Sequence, residues 1–116
     1  MRETALITKI QNMIELTSKQ RKYLEKEAHD LQPIVIVGGA GVTDGIFGMV
    51  TASLKAHELI KVKFNEYKDE KVELTNDICA HCDATLVRII GNIAILYKEA
   101  EKPEDRKFKL YYLETP

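Results

Sequence analysis

Tryptophan is absent from this sequence, cysteine occurs twice, proline three times, and aromatic residues make up 7% of the chain. Two cysteines cannot build a disulfide framework, which fits a reducing compartment. Apolar runs reach strand length only, as in Ile34 to Val37, far short of the ~18 residues a membrane-spanning helix needs. The opening Met1-Arg2-Glu3-Thr4 has no apolar block of the signal-peptide kind, so the expectation is an unexported, cytoplasmic protein. No repeat or low-complexity segment interrupts the chain. A net charge of −1 excludes a generally basic, sticky protein, but a sum says nothing about distribution. What is present is ordinary for a globular protein. The 116 residues, 45% hydrophobic and 30% charged, suit one domain with its own core.

The charges are segregated. Lys19, Arg21, Lys22 and Lys26 face a single acid, Glu25, and Lys55, Lys61 and Lys63 face only Glu58. From Glu66 to Asp83 the balance reverses, with six acids against Lys68 and Lys71. Such segregation can give a neutral protein a basic patch that an anionic partner would feel. The plainer reading is a set of solvated helix faces and edge strands.

Periodicity orders the elements. Leu6, Ile7, Ile10, Met13 and Ile14 form one apolar helical stripe in an N-terminal extension, residues 1–15. Thr17-Ser18-Lys19-Gln20 fits a capping box that opens a helix with Leu24, Ala28 and Leu31 inward. Pro33 ends it, and Ile34 to Val37 reads as a fully buried strand. Gly38-Gly39-Ala40-Gly41 is a tight loop, and Thr43 caps a helix with Ile46, Phe47, Val50 and Leu54 inward. Leu59 to Phe64 is a second strand, followed by a helix with Leu74, Ile78, Cys79 and Cys82 inward. Ala84 to Ile90 and Ile93 to Tyr97 are strands joined by Gly91-Asn92. Residues 99–116 read as a polar tail, a linker to Asp105 and then a short strand at Phe108 to Leu113. The order α-β-α-β-α-β-β predicts an α/β domain, a four-stranded mixed sheet packed with helices.

Three glycine-loop chemistries compete at Gly38 to Gly41. A Walker loop is excluded, because no Gly-Lys-Ser/Thr follows. A dinucleotide fingerprint needs glycine where Asp44 stands, although Gly45, Gly48 and Glu66 keep a looser small-nucleotide reading alive. The third is a GxxG loop that admits a nucleic-acid backbone to free N–H groups at a helix start. A bare strand-to-helix turn is the structural alternative. Cys79-Ala80-His81-Cys82 lacks a second ligand pair for zinc and closes a helix rather than opening one, so both thiols read as core residues. No grouping supports catalysis, metal or cofactor chemistry.

Leu16 to Leu24, Ala28-His29, Leu31, Pro33, Val37 to Thr43, His57 to Lys63, Ile90-Gly91 and Leu96 to Lys98 together closely resemble the CRM domain (chloroplast RNA splicing and ribosome maturation) over residues 16–98. The single-domain size is similar to the stand-alone bacterial YhbY-type members. The resemblance implies a fold like the C-terminal domain of translation initiation factor 3, RNA binding, and association with precursors of the large ribosomal subunit; a monomer is the separate expectation for the oligomeric state. On this reading Lys19, Arg21, Lys22, Lys61 and Lys63 neutralise phosphates, while Gly38, Gly39, Ala40, Gly41 and Thr43 form the backbone seat. Gly39 departs from the basic or polar residue that often follows the first loop glycine in the family. Tyr23, Tyr67 and Tyr97 form no obvious stacking pair, so backbone and shape are expected to outweigh base readout. A protein–protein adaptor using the N-terminal stripe is a further reading.

Overall fold

Capping fixes where the first helix begins. In the computed structural model, which describes residues 15–108 and Leu110, the Thr17 hydroxyl accepts from the Gln20 N–H at 3.1 Å, and the Gln20 side-chain oxygen accepts from the Thr17 N–H at 2.9 Å. This reciprocal pair opens α1 (Ser18–Ala28). After Pro33 comes β1 (Val35–Val37), and Thr43 caps α2 (Asp44–His57) by accepting from the Ile46 N–H. Strand β2 (Leu59–Phe64), a 3₁₀ turn (Lys68–Glu70), α3 (Lys71–Cys82), β3 (Thr85–Ile90) and β4 (Ile93–Tyr97) follow. The expected order of elements is thus the observed one. The N-terminal stripe lies outside the described residues.

The sheet runs β1-β2-β4-β3, with β1 parallel to β2 and the other pairs antiparallel. Alternation along each strand divides the core in two. Val35, Val37, Val62, Phe64, Ala94 and Leu96 face α2 and α3, where Val50, Leu54, Ile78, Cys79 and Cys82 meet them. On the other face, Leu59, Ile95, Tyr97 and Val87 pack under Leu24 and Ala28 of α1. A bulge at Val87, between Leu86 and Arg88, turns both Val87 and Arg88 toward α1. Arg21 donates to the carbonyls of Leu86 and Val87, and Arg88 pairs with Glu25 at 2.8 Å.

The expectation of a fully buried first strand fails on one face. Ile34 and Ile36 are 43% and 49% exposed, because β1 is the sheet edge and α1 does not extend over it. Leu31, expected inward, is also exposed, since α1 stops at Ala28. An unbroken apolar run cannot reveal which of its faces goes uncovered.

The segment after Lys98 is tied to the domain. Glu58 is buried at positive φ (63°), and its carboxylate accepts from the N–H groups of Ala100, at 2.7 Å, and Lys107. Phe108 stands edge-on to Tyr23 and Tyr97, and Leu110 is buried beside them. The rest of the strand expected at Phe108 to Leu113 lies outside the described residues, apart from Leu110, which sits in a short helical turn.

Both cysteines are buried in the α2/α3 core as expected, and burial, with Cys82 close by, pushes the Cys79 thiol up to about 12. That is the reverse of a redox or metal-binding thiol, which needs ready ionisation. At pH 8 the Cys79 thiol of the folded protein is therefore expected to resist a chromogenic disulfide reagent, reacting at the unfolding rate. Prompt reaction without denaturant would contradict the packing described.

Candidate functional site

The glycine loop leaves the sheet at the C-terminal end of β1. Gly41 donates to the Gly38 carbonyl at 3.0 Å, closing a turn with Gly39 and Ala40 at its tip. Among the described residues, the Gly39 and Ala40 N–H groups have no hydrogen-bond partner. The first-turn N–H groups of α2, at the positive end of its dipole, begin three residues after Gly41. Asp44, in that first turn, opposes an anion there.

Only one loop glycine is required by conformation. Gly41 has φ +77°, where a side chain is strained. A Cβ at Gly38 or Gly39 would meet nothing within 4 Å. The fold has no steric need for glycine at either position, yet both leave the tip bare.

Tyr67 braces the loop, and sequence reading missed it. It sits at positive φ (56°), directly before the 3₁₀ turn. Its hydroxyl donates to the Gly39 carbonyl at 2.9 Å, and its ring edge lies 3.5 Å from where a Gly41 Cβ would be. The loop is thereby held from one side with its unpaired N–H groups left free. Nothing in a lone Tyr between Glu66 and Lys68 announces this, because the contact depends on the left-handed turn that swings the ring back. The same side carries Glu66, Asp69 and Glu70 around an open depression of about 760 Å³ that Gly39 and Tyr67 also line. Three carboxylates against one lysine, Lys68, make that depression, on the Tyr67 side of the loop, unfavourable for a phosphate.

The expected basic residues divide into three groups. Lys63 is exposed on β2, level with Ile36 and one strand in from it, on the sheet face that carries α1. Lys19 and Lys22 are exposed on α1. Arg21 and Lys61 are engaged internally, Arg21 at the β3 bulge and Lys61 through its ammonium to the His29 and Leu31 carbonyls at 3.2 and 2.9 Å. Thr43 serves as the α2 cap.

One row of that face is bare. Ile36, Lys63, Ile93 and Ile90 are register partners across all four strands. Ile36 and Ile90 are 49% and 54% exposed, Lys63 is exposed, and Ile93 between Lys63 and Ile90 is half-buried.

A mixed four-stranded sheet with a GxxG turn opening its second helix defines a specific class of small α/β domain. Residues 16–98 match the family model of the CRS1/YhbY (CRM) domain, and the chain belongs to that family. It is 37% identical over 91 residues to an RNA-binding protein of Haemophilus influenzae, covering 78% of this chain and 92% of that one. It is 36% identical over 88 residues to the Bacillus subtilis RNA-binding candidate YqeI, covering 75% and 92% of the two chains. A Staphylococcus aureus protein solved in solution, described as an RNA-binding candidate, superposes with a TM-score of 0.67 at 30% identity, covering 82% of this chain and all of that one.

Proposed function

We propose that this protein binds RNA without catalysis, seating the phosphate backbone on the glycine loop with Lys63 beside it. The observation that carries the reading is the bare loop tip: Gly38 and Gly39 have space for side chains the fold would tolerate, and the tip's N–H groups are unpaired. A close-approaching anion gives both features a purpose. The relatives' description as RNA-binding proteins supports the same ligand. The target proposed is a precursor of the large ribosomal subunit, which the CRM resemblance implies, bound by a monomer in the cytoplasm. Crosslinking in cells with sequencing of the bound RNA, alongside ribosome-gradient fractionation, tests this. Large-subunit precursor RNA in both readouts is expected; crosslinks to unrelated RNA with no gradient association would overturn the target.

Salt dependence tests the division of the cations. With Arg21 and Lys61 occupied internally, Lys19, Lys22 and Lys63 remain as phosphate partners. At ~0.7 per contact on a single strand, log affinity should fall with log salt at a slope of about −2, where five free cations would give about −3.5. Lys63→Ala is expected to flatten the slope by roughly 0.7, while Lys61→Ala should lower the melting temperature and leave the slope alone. The opposite assignment of the two effects would contradict the role proposed for Lys63.

A further inference from the structure

The geometry points to the bare sheet row as a base-binding surface, occupied by two or three unstacked bases of a single-stranded RNA whose backbone crosses the glycine loop. This rests on the RNA reading above and adds to it a site for the bases. Ile36 lies two residues before Gly38, so a strand seated on the loop is delivered directly to the row. With neighbouring strands about 4.8 Å apart, Ile36, Lys63, Ile93 and Ile90 span roughly 14 Å. Ile34, 43% exposed, widens the apolar patch at the β1 edge.

Charge selects the occupant. The row holds no acid; Glu66, Asp69 and Glu70 lie around the Tyr67 depression, Asp44 stands in the first turn of α2, and Glu25 is paired with Arg88. A surface of isoleucines around one exposed lysine suits a ligand with apolar faces and an anionic backbone. A second copy, paired face to face about this row, would place two Lys63 ammonium groups in a single apolar seam. Isoleucine has no π face, so contact with bases is hydrophobic and tolerant of sequence. The site was invisible from aromatic residues because it contains none.

The test uses the full chain and two probes: an eight-nucleotide oligouridylate, and the same strand with two central abasic ribonucleotides that keep every phosphate. Anisotropy titration should show the abasic strand binding about tenfold more weakly to the wild-type protein. Ile36→Ser with Ile90→Ser should weaken the intact strand by about the same factor and leave the abasic strand unchanged. Equal wild-type affinity for the two strands would overturn the inference while leaving backbone binding standing. Binding of neither strand would remove the RNA reading itself. A concentration-dependent dimer in sedimentation, lost in the serine variant while oligonucleotide affinity is kept, would assign the row to a second copy and likewise overturn it. The wild-type comparison of probes does not depend on whether the variant folds.

Discussion

Gly39→Asp is expected to leave the thermal melt unchanged and to weaken RNA binding by about 2 kcal/mol, roughly thirtyfold. The melt should hold because a side chain at 39 meets open space and the backbone φ there is not positive. Binding should fall because the carboxylate stands at the unpaired N–H groups, so a charge-assisted hydrogen bond is lost and a like charge is introduced. Gly41→Ala is the contrasting variant. With φ +77° its side chain is strained, so it should lower the melt, and any loss of binding would be shared with loss of fold. A Gly39→Asp protein with both melt and affinity of the wild type would reduce the loop to a turn.

Glu58→Ala is expected to produce the largest loss of stability. The carboxylate accepts from two main-chain N–H groups, of Ala100 and Lys107, which no other described group satisfies. Leaving partly buried donors unpaired costs about 1 kcal/mol or more each, so about 2 kcal/mol together. For a domain of this size that lowers Tm by roughly 10 °C. Glu58→Gln keeps one acceptor oxygen and should fall between. The loss is expected to release Phe108 and Leu110 from Tyr23 and Tyr97, which the tyrosine fluorescence of the variant would follow. A Glu58→Ala melt indistinguishable from the wild type would show that the C-terminal segment is not held through this residue.

The parts of this fold legible in sequence are those governed by local chemistry. Thr17 with Gln20 and Thr43 are cap signals, and the apolar spacing in α2 and α3 marks the faces that reach the core. The glycine loop was legible for the same reason. What was hidden depends on contacts between distant elements. Glu58 sits in a run rich in lysine and gives no sign that it turns inward to accept from Ala100, 42 positions on. Arg21 and Lys61 look like their solvated neighbours, yet carbonyls of β3 and of the α1 exit take up their donors. Val35-Ile36-Val37 is uniformly apolar, so nothing in it tells the buried face from the bare one. Each of these depends on which element lies across from it, and the site's finer composition follows from that arrangement.

The central claim is that RNA backbone meets the unpaired N–H groups at the loop tip. Titration of ¹⁵N-labelled protein with the eight-nucleotide oligouridylate reports on those groups directly, through their amide resonances. The account predicts that the largest shifts fall on Gly39, Ala40, Asp44 and Gly45, with Lys63 next. Saturable binding that leaves those amides in place, while shifts gather along α1 at Lys19 and Lys22, would contradict it.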